Sequence, residues 1–195
     1  NQIVGGVGSL LTVVAAVPAV RNLDTPGCVA FLRDLQPRVP HLRTIFAADL
    51  DGRVVCTSGQ MPPPEVRIAD RSYFRAALAT AERVTGEYTE SKQSKSPILP
   101  IAMPLHDGTG RTVGVVGAAL DLGWLSRHLQ ERSLPAGDSV TIADRNGIIL
   151  ARAPLPEKFV GTPIPATYQH LLHEPEPGSL DILSQDGTRR VLGYI

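Results

Sequence analysis

The 195-residue chain reads as an α+β fold: an N-terminal helical stretch, then two successive modules built on antiparallel sheets. Three observations predict it. Apolar residues recur at helical spacing over the first twenty positions. Later, strand-like runs are joined by short turns carrying Asp-Gly or Asp-x-x-Gly, so neighbouring strands run antiparallel. And the strand–turn–strand pattern of Ile45–Cys56 returns at Val140–Ala151, with Asp144 and Gly147 in the places of Asp49 and Gly52.

Ile3, Val7, Leu10, Val14 and Val17 mark one face of the first helix, and Pro18 ends it. Ile3–Val20 carries no charge, so a membrane span is the competing reading. Its glycines and polar residues favour an amphipathic helix packed on the fold, and no basic leader precedes it. Cys28–Leu35 predicts a second helix, stopped before Pro37. Thr44–Ala48 and Arg53–Thr57 predict a hairpin around Asp49–Gly52. Asp70 is placed to cap a helix running to Leu78 or Ala81. Thr85–Ser91 reads as a strand and Ser91–Ser96 as a polar loop. Ile98–Leu105 and Arg111–Leu120 read as two apolar strands joined at His106–Gly110. Gly123–Leu129 predicts a helix. Beyond Ser139 come a second hairpin, a helix near Ala166–His173, and two strands meeting at Gln185-Asp-Gly187.

Composition narrows the function classes. Hydrophobic residues are 43% and charged residues 19%, as in a folded globular chain. Formal net charge is zero and no basic block occurs, which argues against a nucleic-acid partner. There is no G-x-S-x-G elbow, P-loop, H-E-x-x-H or Rossmann glycine run, so no enzyme is predicted. No cofactor and no metal site are predicted either. His170, His173 and Glu174 have helical spacing but read as a solvated face, and His41, His106 and His128 are isolated. Cys28 and Cys56 are either buried thiols or one disulfide.

Several segments together carry a family resemblance: Asp49-Leu-Asp-Gly-Arg-Val-Val-Cys56, Ala69-Asp-Arg-Ser-Tyr-Phe74, Gly86-Glu-Tyr88, Pro97-Ile-Leu-Pro-Ile-Ala-Met-Pro104, Val113-Gly-Val-Val-Gly117, Ala151-Arg-Ala-Pro154 and Val160-Gly161. In order and spacing the chain resembles the double Cache (PDC-like) extracytoplasmic sensor domains of bacterial receptors. That resemblance implies a long N-terminal helix and two stacked PDC/PAS-like modules, each a central antiparallel sheet flanked by helices. It implies a helical stem over 1–40, a membrane-distal, ligand-binding module over 41–133, and a membrane-proximal module over 134–195, expected to be truncated. It implies a periplasmic location in an inner-membrane receptor, with flanking membrane spans outside this chain and a possible homodimer. Histidine kinase or diguanylate cyclase output is expected ahead of chemoreceptor output. A non-binding dimerisation module is the alternative. An oxidising compartment also favours a Cys28–Cys56 disulfide.

The ligand implied is a small anion, a carboxylate or an amino acid. Arg71 is the chief candidate, because a guanidinium fork holds a carboxylate by two parallel hydrogen bonds. Pairing with Asp121 or Asp70 is its structural alternative. Tyr73 resembles the aromatic beside that arginine in amino-acid sensors, whereas Phe74 lacks a hydroxyl and reads as packing. Asp121 resembles the aspartate that holds a ligand ammonium, with a helix cap as the competing role. Tyr88, Ser91 and Lys92 are expected to close the pocket, Lys95 reads as solvated, and Met103 completes the candidate set. The departures at Tyr73 and Phe74, and the missing tyrosine in Ile98–Met103, keep a plain carboxylate open beside an amino acid.

Overall fold

The computed structural model describes residues 2–132, 134–184 and 187–195. The chain divides into two compact units, one up to Trp124 and one from Leu125 onward. In the first, helices α1 (Gln2–Ala16), α2 (Pro18–Arg21) and α3 (Thr25–Leu35) precede the sheet. Strands β1 (Leu42–Asp49) and β2 (Val54–Thr57) form a hairpin, and α4 (Ser72–Thr80) follows. Short strands β3 (Val84–Thr85) and β4 (Thr89–Glu90) lead into the long pair β5 (Pro97–His106) and β6 (Thr112–Asp121). The sheet order is β2-β1-β6-β5-β3, with β4 also on β5, and every pairing is antiparallel.

Helix α1 buries Val7, Leu11 and Val14. The buried stripe therefore runs through Leu11, one residue from the expected Leu10, and Val17 stays partly exposed. Among the described residues no helix is long and apolar enough to cross a membrane. Predicted strand 85–91 is two fragments, β3 and β4, separated around Gly86–Tyr88.

The register separates the two faces of the sheet. Rows Thr44–Ala119–Pro100, Phe46–Gly117–Ala102 and Ala48–Val115–Pro104 share one face. There Phe46, Ala48, Ala102 and Val115 form a buried cluster with Tyr73, Phe74 and Ala77 of α4. Phe46 and Tyr73 meet edge to face, ring centroids 6.5 Å apart. Gly117 makes room for this, since a Cβ there would fall 2.6 Å from the Phe46 ring. Rows Ile45–Ala118–Ile101 and Ala47–Val116–Met103 lie on the other face.

A bulge in the first hairpin has a functional consequence. Phe46 pairs with Thr57 and Ala47 with Cys56, but Ala48 pairs with Val54, so Val55 is the extra residue. Strict alternation would put Val54 and Cys56 on one face. Instead Val54 joins the Phe46 face, while Cys56 turns the other way and is disulfide-bonded to Cys28 of α3, with Cα atoms 6.0 Å apart.

The turns recur in atomic detail. Asp49 Oδ1 accepts the N–H groups of Asp51 and Arg53, at 3.1 and 2.9 Å. In the second unit, Asp144 Oδ1 accepts those of Asn146 and Ile148, both at 2.9 Å. Gly52 and Gly147 close these turns at φ 72° and 76°, a conformation that favours glycine. Asp107 repeats the arrangement between β5 and β6 with Thr109 and Arg111. The aspartate satisfies turn donors locally, which is why this short pattern specifies the hairpins.

The second unit continues α5 (Leu122–Gln130) into β7 (Val140–Ala143), β8 (Ile149–Ala153), α6 (Pro156–Phe159), a 3-10 segment over Ala166–His173, and β9 (Gly178–Leu183) with β10 (Arg189–Tyr194). Among the described residues its strands make two separate ladders, β7–β8 and β9–β10, rather than one central sheet. Of the predicted turn at 185–187, positions 185 and 186 lie outside the described residues.

Candidate functional site

The start of α4 and the Ser91–Ser96 turn stand over the Phe46 face of the sheet and enclose a cavity of about 90 Å³. Its floor is Thr44, Phe46, Ile98, Pro100 and Ala119, and Thr57, Val54 and Ile68 form one side. Arg71, Tyr73, Thr89, Glu90, Ser91, Lys92 and Gln93 line it as well. One water needs ~10–15 Å³ on this scale, so the space corresponds to roughly six to nine heavy atoms.

Arg71 precedes the first turn of α4 in extended backbone, occupying the N-cap position without a side-chain cap. Asp70 was the expected cap; its carboxylate instead accepts from Lys92 Nζ at 2.6 Å. That hydrogen bond, first among its causes, holds the Asp70 carboxyl below the usual carboxylate range. Lys92 Nζ also donates to the Arg67 carbonyl at 2.6 Å, so one ammonium ties the turn to the segment leading into α4. Arg71 pairs with neither Asp70 nor Asp121. Its guanidinium donates to Thr89 Oγ1 at 2.7 Å and to the Glu90 carbonyl at 3.0 Å. Two of five guanidinium N–H groups are thereby engaged, both on neutral oxygens, and among the described residues the guanidinium has no carboxylate partner.

Tyr73 is only 7% exposed, packs in the core and also borders the cavity. Burial pushes its phenol up to about 12, so it stays a proton donor at physiological pH. Its hydroxyl makes no hydrogen bond among the described residues. Arg71, Tyr73 and Thr89 also line a second, outer cleft of about 290 Å³ together with Tyr88, Glu87 and Arg75. These three side chains thus form the partition between cavity and cleft.

Of the candidates from the sequence, Arg71, Tyr73, Ser91 and Lys92 come together on the cavity, and Tyr88 lies on the outer cleft. Asp121 does not line either space. Its Oδ1 accepts the Trp124 N–H at 3.0 Å, capping α5, and its Oδ2 pairs with Arg43 Nε at 3.2 Å. Met103 is on the opposite face of the sheet, in the row of Ala47 and Val116, because strand alternation carries it away from Pro100 and Ala102. Lys95 is exposed, in a left-handed turn position. Phe74 is core, 2% exposed.

Thr44, Thr57, Thr89 and Gln93 were missed as lining residues. Thr44 was legible in principle, two residues before Phe46 and hence on its face. Thr57 was not, because the bulge reverses the parity of β2.

The first unit is thus an α+β module: an antiparallel sheet with a helix-roofed cavity on one face and N-terminal helices beside it. The chain belongs to the Cache domain family: the family model of the double Cache type matches residues 3–194. Among solved structures it is similar to the extracellular domain of rpHK1S-Z16, assigned as a histidine kinase, at TM-score 0.82 and 24% identity over 97% of this chain and 79% of that one. The extracellular domain of mmHK1S-Z3, likewise assigned, gives TM-score 0.77 and 14% identity over 100% and 84%. The ligand-binding domain of the Pseudomonas fluorescens chemoreceptor CtaA, in complex with L-serine, gives 0.68 and 18% over 97% and 81%. No curated protein sequence matches significantly.

Proposed function

We propose that this chain is the periplasmic sensor region of a membrane-bound bacterial signalling receptor, and that it binds a small anionic metabolite in the α4-roofed cavity. The observation that carries this is Arg71: a cavity-lining guanidinium with no carboxylate partner among the described residues and with N–H groups left to form a bidentate pair. Tyr73 supplies a second donor, protonated at physiological pH. The Lys92 tether closes the turn over the bound molecule. Serine in the chemoreceptor complex is of a size that such a space accommodates.

Signalling requires that the ligand prefer one arrangement of the domain over another, since equal affinity shifts nothing. The helical layer α1–α3 is the route we assign. It is joined to the sheet by the Cys28–Cys56 bond and by Gln36, which donates to the Leu42 carbonyl and accepts from Ser58. Histidine kinase or diguanylate cyclase output is favoured over chemoreceptor output, as the family resemblance implies. A homodimer of the full receptor carries the signal in this reading.

The test is a thermal-shift screen of small carboxylates and amino acids on the purified domain. Ligand at 100 times its Kd stabilises by ~2.7 kcal/mol, which raises Tm by roughly 5–11 °C for a chain of this size. Arg71→Ala is expected to abolish the shift and Arg71→Lys to weaken it. A shift that survives Arg71→Ala unchanged refutes the site. A screen without hits, on a domain whose self-association is retained, would favour the dimerisation module.

A further inference from the structure

Strand register places hydrocarbon directly beside the cavity's arginine. Arg71 donates to Thr89 Oγ1 at 2.7 Å, and Thr89 is the cross-strand partner of Ile98 in the β4–β5 pair. Side chains of a directly opposed antiparallel pair stand on one face, with Cβ atoms roughly 4.5–5.5 Å apart. Thr89 and Ile98 both line the cavity, so Ile98 is the stretch of floor next to the guanidinium.

Ile68 flanks the arginine from the other direction. Its carbonyl accepts the Arg71 N–H at 3.0 Å, and it too lines the cavity. Both isoleucines are buried. Beyond them the lining continues with Phe46, Val54, Pro100 and Ala119. A molecule held by Arg71 therefore meets an apolar surface within a few bonds of its bound end.

The rest of the lining offers no second cation for a ligand. Lys92 Nζ is 2.6 Å from Asp70 Oδ1 and 2.6 Å from the Arg67 carbonyl, so its charge is already answered. Gln93 Nε2 donates to the Gln60 carbonyl at 2.9 Å. Thr44 and Thr57 hydrogen-bond each other at 2.8 Å and carry no charge. Glu90 also lines the cavity, is exposed, and has no ion pair among the described residues. A first carboxylate finds its partner in Arg71. A second would meet the apolar floor, where an unpaired charge is costly, or the negative charge of Glu90.

We infer that the cavity selects a monocarboxylate with a short alkyl tail, its carboxylate on Arg71 and its tail on Ile98 and Ile68, and rejects dicarboxylates. This rests on the cavity being the ligand site. It deepens that reading by naming the class of ligand. A short-chain fatty acid and an α-amino acid with an alkyl side chain share this chemistry, since the hydroxyl and carboxylate oxygens on the lining are compatible with an ammonium.

The experiment compares four probes on one carbon skeleton: butanoate and 2-aminobutanoate against succinate and aspartate, in which a carboxylate replaces the terminal methyl group. All four are of the size the space holds, roughly six to nine heavy atoms. Their affinities are measured by calorimetry on the parent chain, Arg71→Ala and Ile98→Thr. Whichever of butanoate and 2-aminobutanoate binds more tightly identifies the source, and it is expected to outrank both succinate and aspartate by about tenfold or more. Ile98→Thr, close in shape but less apolar, is expected to weaken that probe by about fourfold. If Ile98→Thr fails to fold, Ile68→Thr tests the other side of the tail, and the ranking of the four probes on the parent decides on its own. A dicarboxylate that binds as tightly as the monocarboxylates, with binding lost in Arg71→Ala, would overturn this inference and leave the site standing. An unchanged affinity in folded Ile98→Thr would overturn the placement of the tail. No binding of any probe, or binding indifferent to Arg71→Ala, would overturn both this inference and the site.

Discussion

Removing the Cys28–Cys56 bond tests how the helical layer is held to the sheet. The bond joins residues 28 apart in sequence and encloses β1 and the first hairpin turn. In the chain-entropy model, opening a loop of that length returns about 3.6 kcal/mol of stability to the unfolded chain at 25 °C. Cys28 and Cys56 are both fully buried, so Cys28→Ala/Cys56→Ala adds a small loss of packing. Alanine is preferable to serine, which would bury a hydroxyl at each site. At roughly 4 °C per kcal/mol for a unit of this size, Tm should fall by about 14 °C. Circular dichroism melting of parent and double variant reads this directly. Alkylation before reduction should label neither cysteine in protein made in an oxidising compartment. Two reactive thiols in that protein, or a double variant melting within about 3 °C of the parent, would refute the reasoning.

Three further outcomes are expected. At Gly114 a Cβ would run into the Ala48 carbonyl oxygen, whereas Gly108 has nothing within 4 Å; Gly114→Ala should destabilise by about 1–3 kcal/mol and Gly108→Ala should not, as read by urea melts. Tyr73 titrates at about 12 in the fold against 10.0 when free. Its contribution to stability is therefore complete below pH 10 and is lost as pH rises from 10 towards 12. Tyr73→Phe should remove that part of the alkaline loss and, because the hydroxyl lacks a partner, should cost no stability at pH 7. A parallel alkaline decline in the phenylalanine variant would count against it. Lys92→Met should speed amide hydrogen exchange over 91–96 and lift the Asp70 carboxyl towards its ordinary value, seen by NMR titration; unchanged exchange would show that the turn does not depend on this tether.

Much of the fold was readable because its signals are local. Asp49, Asp107 and Asp144 each bond the N–H groups two and four residues on, so each turn is encoded within a few positions. The helices at 2–16 and 25–35 follow from spacing and from the prolines that bound them. The site was readable only in part. Arg71 and Tyr73 sit at a helix start that the sequence marks. The order of segments around Asp70–Phe74 carried the family resemblance, which the double Cache model then matched across 3–194.

Where it failed, the deciding fact was a long-range one. Asp70 and Asp121 are each compatible with capping; which of them caps depended on Lys92, 22 residues away, and on the helix that starts at Leu122. Met103 was misjudged by face and Thr57 was missed, since a side chain's direction depends on register, and one bulge at Val55 inverts it in β2. By itself, then, the sequence determined the class of fold, its hairpins and the helix start that carries Arg71. Only the tertiary structure decided what surrounds that arginine. Hydrogen-bonded turns and helical stripes are set by neighbours along the chain, but the partners of a charge and the lining of a cavity are set by neighbours in space.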